Sequence, residues 1–274
     1  MAFTVAITGG ARGIGLATAR AFAAAGASVA IGDVDDEAAA AAALQTGATA
    51  HVLDVRDPAS FATFFGAIGV PDVLVNNAGI AHADSFVNTP PELRDLQIDV
   101  NLRGVVNGMA AVIPGMIERG HGHVINVASL AGRIAIPDAA IYSATKFAVV
   151  GLTEAVAVEL RDSGVRVSAV LPTFVRTEMT DGLPLSGVPV VDPPDVAQQI
   201  LRVVRRGGPT VTAVPRWMGG IPRLAALTPH AIVDALKHGS ASEANRPYED
   251  REQRRAAYIA RVRGLLPPIP PSGG

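Results

Sequence analysis

The chain has 274 residues, a formal net charge of -2 and a pI near 6.3, which give no reason to expect a nucleic-acid partner, since phosphate binding needs a basic face. It contains no cysteine, which excludes disulfides, thiolate catalysis and Cys-ligated metals. The length suits one large α/β unit with a well-buried core, and no charge run or Ser/Gly-rich linker divides it.

In chain order, short runs rich in Val, Ile and Ala at 3–7, 28–32, 49–53, 72–75, 123–128, 165–170 and 210–214 predict buried strands. The stretches between them, at 14–25, 36–44, 58–68, 92–118, 142–162 and 194–205, predict helices. This alternation is that of a doubly wound parallel sheet of about seven strands, covered on both faces by right-handed crossovers. Residues 1–214 are expected to form it and 215–274 to be a C-terminal extension. Met1 leads into the first strand without a basic segment and a long apolar stretch, so a cytoplasmic location is expected. The 142–162 helix is apolar around most of its circumference, through Phe147, Val149, Val150, Leu152, Val156, Val158 and Leu160. A sheet covers only one side, so this helix, with the one near 100–118, is expected to pack on another subunit in a homo-oligomer, a dimer or tetramer.

The first strand ends in Thr8-Gly9-Gly10-Ala11-Arg12-Gly13-Ile14-Gly15 and enters a helix. Glycines there allow a tight turn and close backbone approach to a pyrophosphate, which the helix N-terminus attracts. The second strand ends at Asp33, where a carboxylate accepts hydrogen bonds from both adenosine ribose hydroxyls and repels a 2′-phosphate. This favours NAD. Arg12 argues for the alternative, NADP, by pairing with that phosphate; the repulsion is weighted more heavily. Asp54 and Val55, after the third strand, are placed for the adenine edge. After the fourth, Asn76-Asn77-Ala78-Gly79 brings backbone close to the ribose.

The fifth strand ends at Ser129, and Tyr142-Ser-Ala-Thr-Lys146 follows. On a helix, Tyr142 and Lys146 share one face a turn apart. A phenol with a pKa of ~10 exchanges protons poorly near neutrality, and lowering it by about three units needs roughly 4 kcal/mol of preference for the phenolate. A nearby ammonium, helped by a positive nicotinamide ring, acts in that direction. Only two of the 23 basic residues are lysines, Lys146 and Lys237, so a lysine at this spacing argues against an ordinary solvated cation.

Taken together, Thr8-Gly9-x-x-x-Gly13-Ile14-Gly15, Asn76-Asn77-Ala78-Gly79, Ser129, Tyr142-x-x-x-Lys146 and Pro172-Thr-Phe-Val-Arg-Thr177 resemble the short-chain dehydrogenase/reductase family over about residues 1–214. The resemblance implies a Rossmann-type sheet and hydride exchange between a nicotinamide cofactor and an alcohol or carbonyl. It implies that Tyr142 is the general acid or base, while Lys146 lowers its pKa and holds the nicotinamide ribose. Ser129 would hydrogen-bond the substrate oxygen, and Asn101 would interrupt a helix and hold a water linking Lys146 to solvent. Pro172 belongs to the loop whose backbone around Val175, with Thr177, would meet the carboxamide. The family's usual Pro-Gly is Pro172-Thr173 here, which puts the local turn in question.

The expected substrate wall comprises Leu130–Ile141, Ala81-His82 and Glu178–Val191. With Ile134, Ile136, Pro137, Met179, Leu183 and Leu185 it is mainly apolar, which suits a hydrophobic secondary alcohol or ketone. Arg133 and His82 are the candidate polar selectors. No His/Asp/Glu cluster has metal-ligand spacing, so no catalytic metal is expected. The segment from Trp217 is read as cleft cover or a subunit contact ahead of a membrane-surface segment. A helix is expected around Tyr248–Arg263, with a Pro-rich extended end. Two other readings compete: a dinucleotide-sensing regulatory protein, which has no need of a proton-transfer pair, and an epimerase or dehydratase of a related branch, which usually carries a longer substrate domain.

Overall fold

The computed structural model describes residues 3–181, 189–206, 208–220 and 256–266. Seven parallel strands form one sheet: β1 (Thr4–Thr8), β2 (Ser28–Asp33), β3 (Thr49–Val52), β4 (Val73–Asn76), β5 (Gly122–Val127), β6 (Val165–Pro172) and β9 (Val211–Val214), in the order β3-β2-β1-β4-β5-β6-β9. The order reverses between β1 and β4, and open α/β sheets bind ligands at the carboxyl ends of the strands beside such a reversal. A separate pair, β7 (Phe174–Val175) and β8 (Val190–Val191), lies in the loops between β6 and β9. At two residues each, these strands are too short to have a readable period.

Helices cover both faces because the strands are apolar on both. On one face, α1 (Gly13–Ala24), α2 (Asp36–Thr46) and α7 (Pro193–Arg206) bury Phe22, Ala39, Ala42, Val196, Ile200 and Val203 against Val5, Ile7, Val29 and Ile31. On the other, α3 (Pro58–Ile68), α5 (Gly104–Glu118) and α6 (Ala140–Glu159) bury Phe61, Phe64, Met109, Val112, Val149 and Val150 against Leu74, Val124 and Leu171. Each of these side chains larger than Ala contributes on the order of 1.5–3 kcal/mol by leaving water. Polar residues set several boundaries. Asp35 caps α2 by accepting from Ala38 N, and Asp57 caps α3 by accepting from Ala59 N.

The predicted helix at 92–118 is a composite. α4 (Pro91–Ile98) passes through a π-turn at Asp99–Arg103 into α5, and Asn101 sits in that turn. By length and composition, Pro91–Glu118 and Ala140–Glu159 could each cross a membrane. In this fold one side of each packs on the sheet, leaving Val106, Ile117, Phe147 and Val158 exposed. The described part of the extension includes α8 (Ala256–Arg263), shorter than the predicted helix from Tyr248, whose first residues lie outside the described ones. So do Leu183, Leu185 and the Pro-rich end.

Candidate active site

The phosphate-loop geometry follows from the glycines. Gly9 has a φ of 62°, and a Cβ on it would stand 2.8 Å from Ala78 Cα. A Cβ on Gly15 would stand 2.1 Å from Gly9 O. Larger residues therefore cannot occupy this turn without moving backbone. No side chain caps the N-terminus of α1, so its first N–H groups and partial positive charge face the space above the loop. Asn77 secures the loop to β4: its Nδ2 donates to Thr8 O at 3.0 Å and Gly9 O at 2.8 Å. Thr8 Oγ1 accepts from the backbone N–H groups of both Asn77 and Ala78 at 3.0 Å.

At the end of β2, Asp33 Oδ2 accepts from Ala11 N at 3.1 Å and Oδ1 from Asp35 N at 3.2 Å. Its carboxylate is thereby fixed at the edge of the cleft. Arg12 does not approach it as an independent cation, because its Nη2 is paired with Asp35 Oδ2 at 2.6 Å. The Ala38 N–H and then Arg12 hold the Asp35 carboxyl below its ordinary range. Asp54, expected at an adenine edge, is engaged by Arg56, whose Nη2 reaches Asp54 Oδ2 at 2.7 Å and whose Nε also donates to the carboxylate.

The catalytic candidates meet at the ends of β5 and α6. Ser129 Oγ accepts from Ala131 N at 3.1 Å and is hydrogen-bonded to Tyr142. That amide occupies one of the two acceptor positions of the hydroxyl, whose single proton can be donated to the phenol oxygen. Lys146 is 4% exposed and donates from Nζ to Val127 O at 3.0 Å, with Nζ 5.7 Å from the centroid of the Tyr142 ring. Burial pushes the Tyr142 phenol up, opposed by the Ser129 hydrogen bond, and pushes Lys146 down to about 8. In the protein alone the largest influence on both groups is desolvation, which disfavours their charged forms.

Asn101 is fully buried. Its Oδ1 accepts from Ile80 N at 2.8 Å, and its Nδ2 donates to Ile80 O at 2.8 Å and to Thr145 Oγ1 at 3.3 Å. Thr145 Oγ1 in turn donates to Tyr142 O. The Asn101 side chain thus joins the segment after β4 to the α6 turn carrying Tyr142, and it is set back from the cleft surface.

All these elements open onto one cavity of about 1190 Å³. Gly9, Arg12, Gly13, Ile14, Asp33, Asp54 and Val55 line one end, with Asn77, Ala78, Gly79, Pro172, Val175 and Thr177 along it and Ser129, Tyr142 and Lys146 at the other. Of the predicted site residues, Gly15 and Asn101 alone stay behind this surface. Thr173 accommodates its turn by donating from N to Val214 O at 2.9 Å and from Oγ1 to Pro189 O at 3.0 Å. Leu130, Ile134, Ile136, Pro137, Met179 and His82 line the cavity. Arg133 does not; it forms an ion pair with Glu154 on α6, so it is no selector. Among the described residues, no group of three or more His, Cys, Asp or Glu gathers as a metal site.

Tyr258, Arg261, Val262 and Leu265 also line this cavity, and none of them was expected there. The signal is local but faint: Tyr258 and Val262 stand four apart among arginines, the spacing of one buried helix stripe.

The short chain dehydrogenase family profile matches residues 3–185. An Escherichia coli protein named oxidoreductase UcpA is 39% identical over 210 residues, covering 73% of this chain and 80% of its own. A Mycobacterium tuberculosis 3-alpha-(or 20-beta)-hydroxysteroid dehydrogenase is 42% identical over 184 residues, covering 65% of this chain and 71% of its own. Among solved structures, a 3-oxoacyl-[acyl-carrier protein] reductase with bound NAD from Brucella melitensis superposes with a TM-score of 0.68 at 31% identity, covering 75% of this chain and 85% of its own.

Proposed function

The chain belongs to the short-chain dehydrogenase family, and on that premise we propose that it is an NAD-dependent oxidoreductase of hydrophobic secondary alcohols or ketones, with Tyr142 as the general acid and base. The observation that carries this reading is the Ser129–Tyr142 hydrogen bond with the Lys146 ammonium buried beside it, at one end of a cleft whose other end is the glycine loop. A dinucleotide fits the cleft: the glycines leave backbone room, the α1 N-terminus is uncapped, and Asp33 stands where a ribose would need an acceptor. Gly9, Gly13, Ile14, Asp33, Val55, Ala78, Gly79, Val175 and Thr177 would hold it. When bound, the nicotinamide supplies the hydride donor or acceptor. Single-ligand pockets usually hold about 300–1,000 Å³, so the cavity has room for a second, smaller molecule beside a dinucleotide.

Tyr142 hands its phenol proton to a carbonyl oxygen, or takes the proton of an alcohol, while Ser129 holds that oxygen. Lys146, when charged, favours the phenolate and so eases the alternation between the two forms. A sensor of dinucleotides would have no use for a buried ammonium and a hydrogen-bonded phenol at this end of the cleft. The apolar wall of Leu130, Ile134, Ile136, Pro137 and Met179 supports a hydrophobic substrate, as does the hydroxysteroid dehydrogenase name of the mycobacterial relative. Nicotinamide absorbance followed across secondary alcohols, steroids and ketones tests the reading, and absence of turnover with every one would sink it.

For cofactor choice, Asp33 is fixed at the ribose end and Arg12 is committed to Asp35, which supports NAD over NADP. Turnover with NAD is expected to exceed that with NADP by roughly tenfold or more, the scale of one unfavourable charge contact of about 1.4 kcal/mol or greater. Asp33→Ala should narrow the ratio mainly by lowering NAD affinity; unchanged NAD affinity would refute the role of Asp33. The exposed Val106, Ile117, Phe147 and Val158 on α5 and α6 support a homo-oligomer, dimer or tetramer. Light scattering at micromolar concentration should give a mass above one chain, and a monomer would reverse this assignment.

A further inference from the structure

Helix α8 lines the cleft and is fixed near both ends. Tyr258 Oη accepts from Ala81 N at 2.7 Å and donates to Ala81 O at 3.1 Å. The carbonyl of Leu265, just past the helix, accepts from Arg56 Nη1 at 2.8 Å. Tyr258 and Val262 are each 5% exposed and join the core cluster beneath α5 and α6. The helix is thus a packed wall of the cleft.

Between these fixed points stands Arg261. Its Nη2 pairs with Glu178 Oε2 at 2.7 Å, and its guanidinium carbon lies 5.6 Å from the centroid of the Tyr258 ring. Glu178 follows Thr177, whose methyl group would be 3.3 Å from a Cβ on Gly13. On the opposite lip, after the Ala38 N–H and Arg12, the charge of Arg261 also acts on the Asp35 carboxyl. Arg261 thus pairs with Glu178 beside Thr177 and its charge reaches Asp35 beyond β2, in the cavity that Gly9 and Gly13 also line.

The charge around that loop leaves a need which this residue meets. Arg12 is paired with Asp35 and Arg261 with Glu178, while Asp33 adds a further carboxylate to the same cleft. An incoming diphosphate would find partial positive charge at the α1 N-terminus and the guanidinium of Arg261, whose pair with Glu178 it would have to share or displace. A guanidinium presents five N–H donors in a planar fork suited to phosphate oxygens, and one of its nitrogens faces Glu178.

We propose that Arg261 is a ligand of the cofactor's diphosphate, carried over the glycine loop by a helix outside the segment that the family profile matches. The inference rests on the dinucleotide reading above and adds to it a residue of the extension.

Calorimetric titration of the full chain with ADP-ribose, ADP and adenosine tests it, using wild type, Arg261→Gln, Arg261→Lys and Glu178→Gln, with thermal melts to confirm folding. Arg261→Gln should weaken ADP-ribose and ADP about tenfold or more, the scale of a lost charge-assisted pair, and leave adenosine unchanged. Arg261→Lys, which keeps the charge and loses the fork, should fall between. Glu178→Gln should retain or strengthen diphosphate binding, since a competing carboxylate is gone. Equal weakening of adenosine, an equal loss in Glu178→Gln, or tighter ADP-ribose binding by Arg261→Gln would each overturn the assignment: the first two make Arg261 an anchor of the wall, the third an obstruction. A wild-type protein that binds none of the three probes would overturn the dinucleotide reading itself, and this inference with it.

Discussion

Tyr142→Phe is expected to lower kcat by about 10²–10⁴, the usual contribution of a positioned proton-transfer group. It should leave the melting temperature and NAD affinity close to those of the wild type. The substitution removes one oxygen that is hydrogen-bonded to Ser129, and the ring keeps its place on α6. Ser129 remains anchored by the Ala131 N–H, so the loop need not rearrange. Measuring kcat, the melt and NAD titration on one preparation separates a chemical loss from a structural one. A variant that turns over at the wild-type rate would remove Tyr142 from the mechanism.

Lys146→Met should have two opposite effects. Turnover should fall by a similar order, because the ammonium that favours the ionised phenol is gone. Stability of the cofactor-free protein at pH 7 should nevertheless rise. Lys146 is buried and its folded pKa is pushed from 10.5 down to about 8, so below pH 8 the folded state carries a charge that the unfolded state solvates better. The difference is about 3 kcal/mol at pH 7. Losing the hydrogen bond to Val127 O takes back about 1 kcal/mol, leaving a gain of about 2 kcal/mol. The sign can be checked against pH. Between about 8 and 10.5 the unfolded state binds the extra proton, so this group's contribution improves as pH rises through that window, and the Met variant should lack that slope. Chemical denaturation at pH 7 and 9.5 measures both effects; a Met variant less stable than wild type at pH 7 would show that the ammonium is not a burden on the fold.

Much of this fold is legible from local pattern. The strands at 3–7, 28–32 and 123–128 are found at Thr4–Thr8, Ser28–Asp33 and Gly122–Val127, because a strand buried on both faces is a continuous apolar run bounded by turn residues. The glycine loop and the Tyr142/Lys146 pair are equally readable, since each is a short segment whose spacing decides its geometry. What escapes is decided by distant partners. The π-turn around Asn101 keeps a helical hydrophobic period on both sides, so periodicity alone reads the 92–118 run as one helix; the interruption at Asn101 comes from the family resemblance, and its bonds to Ile80 are long-range. Arg133 reads as a wall residue until Glu154, one helix away, claims its charge. The pKa roles of Tyr142 and Lys146 depend on how thoroughly water is excluded, which spacing does not encode. The cleft contacts of Tyr258 and Leu265 join residues 177 and 209 positions apart, beyond the reach of any local pattern.

Those separations also set an order of assembly. During synthesis, β1, β4, the glycine loop and α6 have all left the ribosome before residue 256 is added. The nascent enzyme therefore has its turn of glycines and its tyrosine in place while one flank of the groove is still open to solvent. Tyr258 and Val262 pack on a core that those earlier segments build, so this flank is completed on a surface that is already there.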